Sequence, residues 1–319
     1  MRGRTHDSRS TIPTTKTCRR GPRHRPALPA RMIDMQIRKA VITAAGKNQR
    51  NLPMQTLFDQ QGVERSVLSL VVREAVRAGI TDVCIVVCPG DEDAYARLLA
   101  DDGARLTFVA QTEARGYAQA VFSSKSFVKD EPFLHFVGDH IYVGQEASGS
   151  AKRLVEAATA EGCTISAVQV TRESLLPFYG TVGGQPVPGK PGLYRVETVR
   201  EKPTPTEAEQ HLIVPGLRSG QYLCFYGMHV LTPAIFQILS GMLGEGRVSL
   251  SAALAVLAER EQYLAMIQTG QRFDVGVKYG LFTAQLALAL SGQDRENVLT
   301  QLVNVMAARE ILSAKGDGA

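Results

Sequence analysis

No run of the 319-residue chain is apolar for long enough to cross a bilayer, and no apolar leader of the secretory kind is seen, so neither membrane insertion nor secretion is expected. Cysteine is scarce. The five residues Cys18, Cys84, Cys88, Cys163 and Cys224 fall at no metal-binding spacing. Cys84 and Cys88 lie in DVCIVVCPG, which reads as a buried strand, so they are predicted to be small core residues of a reducing, cytoplasmic compartment. Internal repeats are absent, and so is low complexity outside the first thirty or so residues. Those first residues lack something else, acids. Positions 1–31 hold nine Lys/Arg against one acid, a charge of +8 in a chain of +5, which leaves −3 for residues 32–319. The basic balance therefore belongs to the tail, and the body gives no reason to expect a nucleic-acid partner. With four prolines and no apolar periodicity, residues 1–31 bury too little to offset ordering entropy and are predicted to be disordered. Three readings of the tail stay open: a transit-type segment, a basic arm, or residues upstream of a translation start at Met32 or Met35.

What remains is an alternation of strands and helices. IRKAVITAA reads as a strand. RSVLSLVVREAVRAGI places Val67, Leu68, Val71, Val72, Ala75 and Val76 on one helical stripe that Gly79 ends. TDVCIVVCP is an unbroken apolar strand, as in a parallel sheet covered on both faces. Asp91 is placed as the cap of a short helix through Leu99. RLTFVAQ is a strand, a helix from Gly116 through Phe127 follows, PFLHFVGDHI is read as one strand, and a helix over 149–161 leads to TISAVQVT. The pattern βαβαβαβ predicts an α/β fold, a doubly wound, Rossmann-like mixed sheet flanked by helices with right-handed crossovers. From 178 onward FYGTVGG, GLYRVETVREKP, SGQYLCFYGMHVLTP and YLAMIQT read as strands, with helices in RVSLSAALAVLAERE and VKYGLFTAQLALAL. The expected parts are a tail over 1–34, a domain over 35–290 and a C-terminal helical segment over 291–319, which packs on the body or on a partner subunit in a homo-oligomer.

Ligands of such sheets bind beyond the carboxyl ends of the strands. Gly46, Gln111 and Asp139 all fall there. In KAVITAAGKNQR a strand enters a turn of small residues, which lets backbone N–H groups approach phosphates, and Arg50 can add a charge-assisted bond. The turn is poor in glycine and lacks the Gly-Lys-Ser/Thr of a P-loop. Asp139 in VGDHIY and Asp274 in RFDVG are strand-end carboxylates, suited either to Mg²⁺ shared with substrate phosphates or to capping a loop or helix. Glu201 and Lys202 stand at another strand end, before a proline.

Taken in order, KAVITAAG and R50–P53, VAQTEARGYAQAV, VGDHIY, FYGTV, VREKP, YGMHVLTPAIF and RFDVGVKYGLFTA resemble the sugar-1-phosphate nucleotidyltransferases, above all the bacterial UDP-glucose pyrophosphorylases, over about 37–290. The resemblance implies that UTP and glucose 1-phosphate are the partners, that UDP-glucose and pyrophosphate are the products, and that Mg²⁺ is the cofactor. It implies that Ala45 and Gly46 contact the nucleotide through their backbone, that Gln111 bonds the uracil, and that Gly116 lets the chain pass close to the base. It places Mg²⁺ on Asp139 and Asp274, the sugar against Tyr179, Gly180 and Glu201, and the sugar phosphate on Lys202, with Arg50 on the phosphates.

The chain also departs from that pattern. Asn48 and Gln49 stand where the family has Gly-Thr, and Gln60 stands at the expected lysine position, with Asp59 beside it. Gln119 replaces a histidine, and Val277 replaces a polar residue. Loss of one well-placed cation costs on the order of 3–4 kcal/mol of transition-state stabilisation. Lys47 is the nearest replacement. Two other functions therefore stand beside the first: transfer to another sugar phosphate or from dTTP, and a catalytically weak paralogue that senses nucleotide sugar.

Overall fold

The computed structural model describes residues 35–46, 50–113, 115–144, 149–244, 246 and 248–316. The basic tail and Lys47, with the expectations attached to them, lie outside these. The first part of the chain runs β1 (Lys39–Thr43), β2 (Thr56–Phe58), β3 (Glu64–Ser66), α1 (Val67–Arg77), β4 (Asp82–Val87), α2 (Glu92–Leu98), β5 (Arg105–Ala110), α3 (Tyr117–Ser123), α4 (Lys125–Val128), β6 (Phe133–Val137) and β7 (His140–Val143). The second part runs α5 (Gly149–Glu161), β8 (Thr164–Arg172), β9 (Gly180–Pro186), β10 (Leu193–Glu201), α6 (Pro205–His211), β11 (Gln221–Leu231), α7 (Ala234–Leu243), α8 (Leu250–Arg260), β12 (Tyr263–Ile267), β13 (Gln271–Asp274), α9 (Gly280–Leu290) and α10 (Arg295–Gly316). Among the described residues no helix is long and apolar enough to cross a membrane.

Nine strands form one mixed sheet in the order β5-β4-β1-β6-β11-β8-β12-β10-β9. β5, β4, β1 and β6 are mutually parallel, and β11 enters antiparallel beside β6. Strand order reverses at β1, between the neighbours β4 and β6, so a crevice opens beyond the carboxyl ends of β1 and β6. Period-two alternation feeds two cores. Ala40, Ile42, Val83, Ile85, Leu134 and Phe136 pack with Leu68, Val71, Val72 and Ala75 of α1 and with α2 and α5. Val41, Cys84, Val86 and Phe133 pack under α3, α7 and α8. This is the doubly wound arrangement that the sequence pattern predicts, and each fully buried Leu or Val contributes roughly 1.5–3 kcal/mol. Ser66 caps α1, its hydroxyl accepting from Ser69 N at 3.0 Å. The four described cysteines are free and buried, as expected of core residues.

Four local expectations need correction. PFLHFVGDHI is two strands, because the chain breaks at Gly138–Asp139 and β7 leaves the large sheet to pair with β13. The helix after Gly116 breaks at Ser124, whose hydroxyl bonds back to Val121 O at 2.7 Å. Asp91 makes no side-chain cap on α2, because its carboxylate is spent on Arg50. A hairpin, β2–β3, was not anticipated. Its turn is held by Asp59, which accepts from Gln61 N and Val63 N at 2.9 Å each and pairs with Arg65 at 2.7 Å. Asp59 is thus a buried turn residue, whose bonds to these groups hold its carboxyl below the ordinary range although burial pushes the other way.

Residues beyond 290 are tied to the same turn. Gln60 donates to Ser291 Oγ at 2.9 Å, and its carbonyl accepts from Gln293 N at 3.0 Å. α10 packs on α9, with Val298 and Leu302 half-buried, whereas Val305 is exposed.

Candidate active site

The crevice holds two adjoining cavities that share Gly116, Tyr117 and Val137. The first, about 320 Å³, lies beyond β1 and β6 and is lined by Ala45, Gly46, Gln111, Gly116 and Asp139 among others. All five were singled out from sequence, and the fold brings them together. Backbone and small side chains dominate here. At Gly138 an added Cβ would sit 2.7 Å from Thr43 O, so only glycine lets the two strand ends close. Gly116 holds a left-handed φ of +104° with open space beside it. Gln111 Nε2 donates to Gly116 O at 3.1 Å and to Gln119 Oε1 at 2.5 Å, an orientation set by the hydrogen-bond network. Gln119, at the family's histidine position, therefore clamps the residue assigned to the base. No Lys or Arg among the described residues lines this cavity.

Arg50 and Gln60 are placed differently from the sequence expectation. Arg50 makes a bidentate pair with Asp91, 2.9 Å from Nε to Oδ2, and lines neither cavity. Its guanidinium is raised further above its ordinary value, first by that hydrogen bond and then by the charge of Asp91. Gln60 does not face the first cavity either, because ten residues after the arginine the chain has already reached the β2–β3 turn.

Asp139 lines the first cavity and His140 the second, while Asp274 lines neither, and the donor atoms of the three all lie within 4.8 Å of one another. The β7–β13 ribbon sets them opposite each other, with Asp274 in register with His140 and Val275 N bonded to Asp139 O at 3.0 Å. Gly276 N holds Asp274 Oδ1 at 2.8 Å, and His140 Nδ1 lies 2.7 Å from Asp139 Oδ1. Burial works to raise the Asp139 carboxyl, but the His140 bond and nearby positive charge outweigh it and hold it below the ordinary range. Two carboxylates in a half-buried crevice fit a hard divalent cation. His140 was not anticipated, although it adjoins Asp139 in the sequence.

The second cavity, about 540 Å³, is built from side chains. Tyr179, Gly180 and Glu201 line it together, joined by Phe225, His229, Ser251 and Arg272, which sequence reasoning missed. Ser251 Oγ donates to Glu201 Oε2 at 2.5 Å. The Arg272 guanidinium lies 3.9 Å from the Tyr179 ring centroid and donates to Phe225 O. A Cβ on Gly180 would meet Ser251 Oγ at 2.5 Å and the Phe225 ring at 2.6 Å. Lys202 lies just past β10 with a left-handed φ of +47°, exposed, outside the cavity lining, and its ammonium has no partner among the described residues. A non-glycine residue in that conformation is strained, as strand-end site residues often are.

Beneath the two cavities runs a buried polar floor. Tyr117 OH lies 2.5 Å from His135 Nε2, and His135 Nδ1 lies 2.9 Å from Val41 O. A carbonyl only accepts, so His135 carries its proton on Nδ1 and Tyr117 donates to Nε2. His229 stacks on His135 with ring centroids 6.0 Å apart. Burial pushes His135 down to about 4, against the Val41 bond, and pushes His229 down to about 3, helped by His135. Both rings are neutral at pH 7.

Residues 39–290 match the nucleotidyl transferase family. The chain belongs to that family. It is 29% identical over 308 residues to a UTP–glucose-1-phosphate uridylyltransferase of Streptococcus pneumoniae serotype 4, covering 86% of this chain and 99% of that protein. Among solved structures it resembles the UTP-bound UDP-glucose pyrophosphorylase of Acinetobacter baumannii, with a TM-score of 0.66 and 23% identity over 84% of this chain and 99% of that one. It also resembles a UDP-glucose pyrophosphorylase complexed with UDP-glucose, with a TM-score of 0.64 and 22% identity over 79% and 98% of the two chains. At these identities the structural likeness establishes the fold.

Proposed function

We propose that the chain transfers uridylyl from UTP to glucose 1-phosphate, giving UDP-glucose and releasing pyrophosphate. The observation that carries this reading is the pair of adjoining cavities with Asp139 in the lining of the first and a second carboxylate, Asp274, within 4.8 Å of it. One cavity suits a nucleotide by its backbone-rich wall. The other suits a polyol by its Glu201, Ser251 and His229 groups. Ala45 and Gly46 would receive the nucleotide through the main chain, Gln111 the uracil, and Tyr179, Gly180 and Glu201 the sugar, with Lys202 reaching the sugar phosphate from the rim.

Asp139 and Asp274 would hold Mg²⁺, with His140 orienting Asp139. When bound, the ion offsets the mutual repulsion of the two phosphates and the charge developing on the leaving pyrophosphate. The chain's own task is positioning. The cavities hold the sugar phosphate oxygen in line with the α-phosphorus of UTP, and no covalent nucleophile is needed. The test is pyrophosphate release by the protein with Mg²⁺, UTP and glucose 1-phosphate, beside Asp139→Ala. Turnover that the variant loses supports the reading, and no turnover with UTP or dTTP across several sugar phosphates overturns it.

A second reading, a protein that binds nucleotide sugar with little turnover, has one observation in its favour. Arg50 is held by Asp91 away from the first cavity, and no other described cation lines that cavity. Tight UDP-glucose binding without pyrophosphate release would select it.

A further inference from the structure

His229 belongs to the floor of the second cavity, is 3% exposed, and lines that cavity from near the end of β11. Its Nδ1 lies 2.6 Å from Ser166 Oγ, and Ser166 Oγ lies 2.6 Å from Tyr263 OH. Counting protons along this chain fixes the tautomer. Ser166 is the only hydrogen-bond partner of the buried Tyr263 hydroxyl among the described residues, so Tyr263 gives its proton to Ser166 Oγ. Ser166 has one proton of its own and one remaining partner, so it donates to His229 Nδ1. The neutral ring then carries its proton on Nε2. Among the described residues Nε2 has no hydrogen-bond partner and is not one of the buried unpartnered atoms, so the donor is open to the cavity that His229 lines. His135, stacked beside it, has the opposite tautomer and both nitrogens satisfied.

We infer that His229 is a specificity-determining residue, whose Nε2–H donates to a hydroxyl oxygen of the sugar received by the second cavity. Ser166 and Tyr263 are positioning residues that keep the proton on that nitrogen. The inference rests on the uridylyltransferase reading above and extends it. The site selects a sugar with an acceptor oxygen at one ring position and disfavours the analogue deoxygenated there, because the bound analogue would cover the donor without pairing it.

The test is calorimetric binding of UDP, UDP-glucose and each monodeoxy UDP-glucose to the wild type, His229→Phe and His229→Gln. Gln can place an amide N–H near the position of Nε2, whereas Phe removes the donor and keeps the ring. Wild type should lose about tenfold or more in affinity for one monodeoxy analogue, the scale of one buried hydrogen bond. His229→Phe should lose a similar factor for UDP-glucose, bind UDP within about twofold of wild type, and show no further loss on that analogue. His229→Gln should recover most of the UDP-glucose affinity. Thermal melts identify a variant that fails to fold, and the wild-type analogue series together with His229→Gln still decides the matter. Unchanged UDP-glucose binding by His229→Phe, or no discrimination among the analogues by wild type, overturns the inference alone. Equal losses for UDP and UDP-glucose place the donor on the diphosphate and also overturn it. Wild type that binds neither UDP nor UDP-glucose overturns the underlying reading, and the inference with it.

Discussion

The two cavities are made by different means. The first is walled by backbone and small residues from three strand ends close to each other in the sheet, and its side-chain chemistry is nearly limited to Gln111 and Asp139. The second draws Tyr179, Glu201, Phe225, His229, Ser251 and Arg272 from segments scattered over 179–272, each held by another side chain or by a carbonyl. A wall made of main chain recognises what every nucleoside triphosphate shares. A wall made of side chains can be retuned one residue at a time. Under the proposed function, selectivity for the acceptor would therefore be concentrated in the second cavity.

Substitutions can break that comparison. The largest effect is expected from Asp139→Ala, which should lower the rate of pyrophosphate release by roughly 10²–10³-fold, as when a preorganised electrostatic contact is removed. A small rate effect would show that the carboxylate pair is not where the chemistry occurs. Next comes Gly180→Ala, since its Cβ meets Ser251 and Phe225 inside 2.7 Å. Overpacking of this kind costs about 1–3 kcal/mol, and it should appear as a lower Tm and a raised KM for the sugar phosphate with the KM for UTP little changed. Equal changes in both KM values would mean that the two cavities are not independent.

The histidine floor gives a pH-dependent effect of intermediate size. Both rings titrate below their unfolded value near 6.5, so as pH falls from there toward about 4 the unfolded chain takes up protons that the fold refuses, and stability drops. His229→Gln should flatten that drop by about 1.4 kcal/mol per pH unit, read from denaturant unfolding between pH 6.5 and pH 5. An unchanged slope would mean that His229 is solvated. The smallest effect is expected from Asp91→Asn, which releases the exposed Arg50. UTP binding should tighten by a few-fold, on the order of one screened surface charge, and the gain should fade in high salt. A loss of UTP binding would show instead that the ion pair positions the loop.

The difference between the cavities also explains what was legible in the sequence. Gly46, Gln111, Gly116 and Asp139 could be read because a strand end followed by a small-residue turn marks itself locally. Asp274 could be read for the same reason. Arg272, two residues earlier, could not, because its value lies in stacking on Tyr179 across the fold. Ser251 and His229 read as ordinary helix and strand residues, since Ser251 is an unremarked position in the first turn of α8 and His229 sits in an otherwise apolar strand. Gln60 falls away from the first cavity because a spacing from a family pattern does not register the β2–β3 turn, and the pairing of Arg50 with Asp91 leaves no local mark in the sequence. Helices and parallel strands were called well by periodicity, whereas β7 was lost in a longer apolar run until pairing with β13 separated it.

That β2–β3 turn ties an early stretch of the chain to the segment that follows α9. A Cβ on Gly292 would fall 2.5 Å from Gln60 O, and Gln293 bonds both the Gln60 and Gln61 carbonyls, by its backbone N–H at 3.0 Å and its side chain at 2.7 Å. Pro53 of the first cavity lies only a few residues upstream, on the same short run of chain. The C-terminal segment is thus a brace for the chain that leads from the wall of the first cavity. Trimming it would leave two carbonyls without partners and slacken a surface that no residue beyond 290 touches directly.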